Sequence, residues 1–363
     1  MRRRARRLVS WWHGAWPQSS SSIAALAGCV VVALIAIALT PSAAHAWTPG
    51  THVFLGDAVL RSLSMLPGTI AEVISAFPYD FLYGSIAADT SIAKKYAAVG
   101  RHSHSWTVGF EIHERADDDR LRAFGLGYLA HLAADSVAHN YFVPRQLAIT
   151  SSTAALGHSY WESRFETHIG GDVSRRAREL ILLDHLRADE HLDRILSPTI
   201  FSTPTNRRIF RGMVYVADTE SWQRIFQLMS EKSRWDLPLS DVSAYMIRSY
   251  DFIMDLFNRL EQSEPYAMDP SGELPLLRAK RIRRSALRRG GDVLAWEEAD
   301  THFGLPAPTL TYHQRLAEPI DTQLITPPMP SPQNGASPAT PHGATGDAAT
   351  MPARRLGRRT RRQ

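Results

Sequence analysis

His131-Leu-Ala-Ala-Asp135-Ser-Val-Ala-His139 decides how the rest of this chain is read. An α-helix advances about 100° per residue, so positions four apart drift by only about 40°. His131, Asp135 and His139 therefore line one stripe of one helix. Imidazole and carboxylate groups at that spacing present N and O ligands to a divalent metal ion. The plain alternative is three polar residues on a solvated face. The flanks argue against it, because Leu129, Ala130, Leu132, Ala133, Ala134, Val137 and Ala138 leave almost no other polar face.

Outward from this stretch, strand signals are scarce and apolar residues recur at three and four positions, the helical period. The spacing predicts an all-α body over 47–303, long enough for one domain with a sizeable core. Helices are expected from 51 or 52 to 66, stopped by Pro67-Gly68, and over 70–76, 118–140, 154–168, 173–196, 208–231, 241–261 and 275–300. Residues 101–113 have weak periodicity and read as a loop. From 304 onward Pro, Ala, Thr, Ser and Gly dominate before a run of arginines over 354–362, and 304–363 reads as a disordered Pro/Ala-rich basic tail. The run Arg278-Ala-Lys-Arg-Ile-Arg-Arg reads first as a solvated helix face and second as a surface attracted to anionic membrane.

Residues 1–46 read as a signal peptide: an arginine-rich start, an apolar stretch over 23–39 and Ala44-His45-Ala46 as a small-x-small cleavage site. An uncleaved membrane anchor, or lipidation at Cys29 in Leu26-Ala-Gly-Cys29, are the other readings. Cleavage exports the protein to the periplasm or medium, makes Trp47 the new N-terminus and removes the sole cysteine, so the mature chain has no disulfide and no thiol nucleophile. The chain's net charge of +5 is misleading. Five arginines fall in 1–46 and seven in 304–363, leaving 29 basic against 33 acidic residues in 47–303. A nucleic-acid enzyme more often carries a basic stripe on its folded part, so no specific nucleic-acid partner is expected.

Further ligand types fall around the central helix. Gly157-His158-Ser-Tyr-Trp-Glu162 is a second His-x3-carboxylate pair one helical turn apart. Asp89 follows the small, apolar Gly84-Ser-Ile-Ala-Ala, His104 lies in Arg101-His-Ser-His-Ser-Trp, and His52 comes five residues after Trp47. His102 is the rival to His104. Trp106 and Trp161 flank the ligands and read as packing residues, with cation–π capture of a quaternary ammonium or stacking on a base as the sharper alternative. His113, His168, His185, His191 and His302 read as surface or hydrogen-bonded side chains.

Taken in order, Trp47-Thr-Pro-Gly-Thr-His52, Asp89, His104, His131-x3-Asp135, His139 and His158-x3-Glu162 resemble the trinuclear zinc site of the zinc-dependent phospholipase C family, shared with the related S1/P1-type nucleases. The resemblance implies a multi-helical phospholipase C/P1 nuclease-like bundle and three Zn²⁺ ions. By the resemblance Asp89, His104, His131 and Asp135 hold the first metal. The α-amine and carbonyl of Trp47 with His52 hold the second, Asp135 bridges these two, and His139, His158 and Glu162 hold the third. The implied reaction is phosphodiester hydrolysis by a metal-activated hydroxide, with Asp89 and Asp135 as the catalytic carboxylates and Asp89 doubling as general base. In the better known secreted members the second His follows the bridging Asp by six residues, often with a Pro between. Here the step is four, so an unkinked helix is expected to carry His139. A phospholipid or membrane-surface substrate is the first reading. A single-strand nuclease or nucleotidase is the second, and an exported zinc-binding protein without turnover the third. No protein partner is evident, and a monomer is expected.

Overall fold

The computed structural model describes residues 47–324 except 93–95, 99, 151–153, 171 and 234. Every regular element among these residues is helical, as the apolar period requires. Residues 1–46, where the export-signal, anchor and lipidation readings fall, lie outside the described residues. Among those described, no helix is long and apolar enough to cross a membrane.

The first helix, α1 (Pro49–Leu60), starts where Thr48 Oγ1 accepts the Thr51 N–H at 3.3 Å and Pro49 supplies a pre-set φ at the first position. Two helices follow, α2 (Gly68–Ala76) and α3 (Pro78–Ala87), the latter again opened by proline. Residues 106–114 correct the expectation of a loop. They form α4 (Trp106–Glu114), because Val108 and Ile112 bury one face against the next helix.

That next helix is α5 (Asp119–Val137), capped by Asp118, whose Oδ1 accepts the Leu121 N–H at 2.8 Å. Nearly every residue of α5 from Leu121 onward is buried, as expected of a helix apolar on all sides, and α3, α4 and a later helix, α12 (Leu239–Arg259), pack around it. The α3–α5 crossing is a backbone contact. A Cβ added at Gly84 would lie 2.0 Å from the Phe124 carbonyl oxygen, and one at Gly127 would lie 1.9 Å from the Phe81 carbonyl oxygen. Only glycine on both sides permits that approach.

The chain does not carry straight on from α5. Residues Ala138–Phe142 form a π turn, with the Val143 N–H reaching back five residues to the Ala138 carbonyl, before α6 (Val143–Thr150) resumes. Pro144 explains it. In a regular helix its ring would press on the carbonyl four residues earlier and its missing N–H would leave a gap, and widening the preceding turn relieves both. The unkinked passage through His139 is therefore corrected.

Three other expected helices are each two. Residues 173–196 divide into α8 (Asp172–Ile181) and α9 (Leu186–Ile195), after α7 (Ala154–Glu166). The break falls where His185 Nε2 donates to the Leu180 carbonyl and Asp184 Oδ1 accepts the Leu186 N–H. Likewise α10 (Thr203–Ala217) and α11 (Glu220–Glu231) separate at Thr219, whose hydroxyl caps the new start. Helices α13 (Glu273–Arg289) and α14 (Gly291–Phe303) separate at Gly290-Gly291, the second with φ +71°.

The tail boundary at 304 is also corrected. Residues 304–324 run along the body. Leu305, Leu310, Tyr312 and Leu316 pack on the core and Ile320 is buried. The His313 backbone N–H and Nδ1 both meet the buried Asp251 carboxylate at 2.7 Å, and Arg248 donates to the Pro306 carbonyl. The Pro-rich composition masks five apolar anchors spaced too irregularly for a helix. Residues 325–363, the rest of the expected tail, lie outside the described residues.

Candidate metal centre

Asp89 reaches the centre because of the glycine crossing. It sits in the 3₁₀ turn Ala88–Thr90 that ends α3, and with α3 pressed on α5 that turn falls beside His131. The Ser85 carbonyl lies 2.8 Å from His131 Nδ1. A carbonyl only accepts, so Nδ1 carries the proton and Nε2 presents its lone pair to the cluster. Tyr128, one turn before His131, donates to the Ser103 carbonyl at 2.6 Å and holds the loop that delivers His104. It is His104, rather than His102, that enters the cluster, at 3.0 Å from Asp135 Oδ2 and 3.3 Å from Asp89 Oδ1.

Asp135 is the hub. His52 Nε2 lies 3.2 Å from its Oδ1, while His104 and His131 Nε2 lie 3.0 and 3.1 Å from its Oδ2. His131 and His104 bring their Nε2 atoms within 3.1 Å of each other. Two overlapping triads result, His52–Asp89–His131 and His104–His131–Asp135, each with its ligand atoms within 4.8 Å. His131 belongs to both, so ligands are shared more closely than a division into separate sets suggests. All these side chains are buried.

The second group continues along the same helix. His139, in the π turn, places Nδ1 3.9 Å from Asp135 Oδ2 and 2.6 Å from the Pro270 carbonyl, which directs Nε2 away from that carbonyl. Its ring meets that of His158 edge-on at 5.4 Å, and His158 Nε2 lies 2.7 Å from Glu162 Oε1. Trp47 is fully buried. Its indole stacks on Phe142 and packs on Phe165, and Nε1 donates to the Ala134 carbonyl at 3.1 Å, one residue from Asp135. All nine residues singled out in the sequence thus converge on α5 and its π turn.

Electrostatics fit a cation. Burial, reinforced by the neighbouring His131, pushes the His52 pKa down to about 4, so this ring is a neutral donor. Burial also opposes charge on His131, yet Asp135 and Asp89 outweigh it and raise its pKa. Burial likewise opposes charge on Asp135, but His131, His104 and His52 hold it well below the usual carboxylate range. The buried Asp135 oxygens and His52 Nε2 lie close together without a well-aligned hydrogen bond. Lone pairs facing one another at about 3 Å in a low-dielectric interior need a proton or a metal ion between them. The donor set, imidazole nitrogens and carboxylate oxygens, suits a divalent transition metal, zinc among them.

Trp106, Trp161 and four of the other histidines have structural partners. Trp106 Nε1 donates to the Met268 carbonyl and Trp161 Nε1 to Thr150 Oγ1. His168, His185 and His191 bond to main-chain carbonyls, and His302 meets Arg278 and Glu298. The loop over 268–272 also belongs to the site, and no sequence signal marks it. Pro270 orients His139, and Gly272 packs so tightly that an added Cβ would lie 2.5 Å from His139 Cβ. Asp269-Pro-Ser-Gly announces a turn, but nothing in it announces contact with a residue 130 positions earlier.

Residues 51–200 match the family model for zinc dependent phospholipase C. No curated protein and no solved structure matches the chain.

Proposed function

We propose, from the premise that the chain carries a domain of the zinc-dependent phospholipase C family, that it is an exported phosphodiesterase cleaving glycerophospholipids to diacylglycerol and a phosphorylated head group. The observation that carries the reading is Asp135, a buried carboxylate touched by three imidazole nitrogens and continued along one helix by His139, His158 and Glu162. Asp89, His104, His131 and Asp135 would hold one zinc ion, and Trp47, His52 and Asp135 a second. His139, His158 and Glu162 would hold a third. Zinc, when bound, supplies Lewis acidity: it makes hydroxide available from water near neutral pH and offsets negative charge on a phosphoryl group.

The chain's own residues do the rest. Asp135 turns Oδ1 to His52 and Oδ2 to His104 and His131, and so would offer one oxygen to each of the paired sites. The carbonyls of Ser85 and Pro270 fix the tautomers of His131 and His139 so that Nε2 is the donor atom. Neutral imidazoles leave the site positive enough to attract a phosphodiester. Asp89, beside His104 and His131, accepts a proton from the attacking water. Packing of the Trp47 indole against Ala134, Phe142 and Phe165 holds the start of the domain at the site. The α-amine of Trp47 becomes a ligand once residues 1–46 are removed, and the uncleaved precursor is inactive.

Two measurements test this. Purified mature protein is assayed on phosphatidylcholine vesicles and on single-stranded DNA, each with and without chelator. Chelator-sensitive diacylglycerol release is expected. Rapid DNA cleavage without diacylglycerol would establish the nuclease reading instead, and bound zinc without turnover on either substrate the non-catalytic one. A variant carrying one extra residue before Trp47 is expected to lose zinc and activity. If it keeps both, the α-amine is not a ligand.

A further inference from the structure

Helix α13 grows directly out of the site. Its N-cap, Gly272 (φ +58°), packs on His139, and Pro270 two residues earlier accepts the His139 Nδ1 proton. One side of α13 is buried through Ala279, Ile282, Arg283 and Ala286. The opposite side carries Leu274, Leu277, Arg281, Arg284 and Arg288, spaced three, four, three and four, and so forms a single stripe about 21 Å long. Leu274 is 75% exposed and Leu277 43% exposed, both at the end nearest His139. The three arginines follow on the same line, all exposed.

The charges on this stripe are not neutralised within the fold. The acidic neighbour α14 serves the edges of α13 instead: Asp292 pairs with Arg283 and Glu298 with Arg289. Among the described residues no carboxylate pairs with Arg281, Arg284 or Arg288, and the Nε groups of Arg284 and Arg288 turn back to main-chain carbonyls one turn earlier. Like charges three and four apart weaken a helix unless an outside partner supplies the opposite sign. Two exposed leucines ahead of a cationic stripe match what an interfacial helix requires, apolar groups to enter the acyl boundary and cations to meet phosphate. The body over 47–303 has more acidic than basic residues, so this stripe stands against the general charge of its surroundings.

We infer that α13 is the surface by which the protein docks on anionic phospholipid bilayers, with Leu274 and Leu277 entering the membrane beside the metal centre and Arg281, Arg284 and Arg288 engaging lipid phosphates. The inference rests on the phospholipase C reading for its consequence on turnover, while the docking itself does not.

The test uses the full mature chain and vesicles of phosphatidylcholine alone or mixed equally with phosphatidylglycerol. Wild-type protein should partition onto the mixed vesicles far better than onto the neutral ones, and added salt should weaken the binding. The variant R281Q/R284Q/R288Q should lose about a hundredfold in partition, since each basic side chain near an anionic surface contributes roughly a fivefold factor. L274S/L277S should weaken binding to both vesicle types. Turnover of a monomeric short-chain phosphodiester should be unchanged in both variants, because none of these side chains belongs to the metal centre. Equal partition of wild type and triple variant would overturn the inference. So would unchanged vesicle binding by L274S/L277S together with arginine-dependent binding to single-stranded DNA, which makes the stripe a nucleic-acid surface. If the wild type binds anionic vesicles through the arginines but turns over no phosphodiester, the functional proposal falls and the docking surface stands.

Discussion

Substitution of Gly127 by alanine tests the link between fold and metal centre most directly. The added Cβ would meet the Phe81 carbonyl oxygen at 1.9 Å, with the Phe81 carbonyl carbon and Gly84 Cα both at 2.9 Å. An ordinary Cβ–oxygen contact is about 3.4 Å, so α3 and α5 must part by roughly 1.5 Å. Both partners on the α3 side are backbone, so no rotamer change absorbs the strain. Overpacking of this kind costs about 1–3 kcal/mol, against a gain of under about 1 kcal/mol from glycine-to-alanine helix propensity. The same movement carries the Ala88–Thr90 turn away from α5 and takes Asp89 from His131 and His104, which it now meets at 3.8 and 3.3 Å. Displacement on the order of 1 Å at a catalytic group costs about a hundredfold in rate. Urea unfolding, zinc content and kcat are the measurements. Gly212 is the internal control: it lies in α10 with nothing within 4 Å of a Cβ, so Gly212→Ala should stabilise by up to about 1 kcal/mol and leave zinc untouched. If Gly127→Ala unfolds at the wild-type urea concentration with full zinc and activity, the glycine crossing does not position Asp89.

Other perturbations probe the centre itself. Asp135→Asn keeps the side chain's size but removes its charge, and should release the paired zinc ions and lower turnover by at least about a thousandfold; retention of three zinc equivalents by mass spectrometry of the native protein would contradict the hub assignment. On the proposed three-zinc assignment Glu162→Gln should lose a single equivalent, the one that His139 and His158 would share, and loss of all three would mean that the groups are not separate. Tyr128→Phe deletes the hydroxyl that holds the Ser103 carbonyl, costing about 1–2 kcal/mol, and should loosen zinc without altering far-ultraviolet circular dichroism; unchanged zinc affinity would show that the loop needs no such tether. The pH dependence of zinc retention follows from two opposite shifts. His52, with its pKa lowered to about 4, stays a neutral ligand through the mildly acidic range. His131, with its pKa raised by Asp135 and Asp89 against burial, is the ring on which protons compete. A raised pKa means that the proton is held to higher pH, so zinc affinity should be full above that pKa and decline as pH falls through it. Retention of zinc down to about pH 4 in a competition titration would show that His52 rather than His131 sets the limit.

Much of this architecture was legible in the sequence for one reason: a helix turns local spacing into geometry. His131 and Asp135, and His158 and Glu162, are one turn apart, and each pair meets as the spacing requires. Helix ends were harder to read. Gly290-Gly291, Asp184 and Thr219 each interrupt a continuous apolar period, and a moment-like pattern runs across such breaks without registering them. Residues 304–324 are illegible for the opposite cause, since irregular anchors such as Tyr312 and Ile320 have no period to find. The π turn has a readable signal in Pro144, but the effect of that proline falls on the residues before it. The loop around Pro270 was beyond local reasoning altogether, because its role exists only through contact with His139.

That loop changes what counts as the metal domain. The family match ends at residue 200, and every side chain proposed as a ligand lies before it. Yet the tautomer and direction of His139 are set from Pro270, Gly272 leaves no room to shift its main chain, and Asn140 of the same π turn donates to the Asp269 carbonyl at 2.9 Å. Trp106, two residues past His104, is tied to Met268. One loop from the second half of the chain thus contacts both Trp106 and the π turn, and α13 starts at its end. A π turn holds one residue more than a regular turn and is rare; Pro144 gives it a local cause, and the carbonyls of Asp269 and Pro270 hold the side chains of Asn140 and His139 that it presents. The second half is therefore a structural part of the centre: the proposed ligands lie before residue 200, but the orientation of His139 is supplied after it.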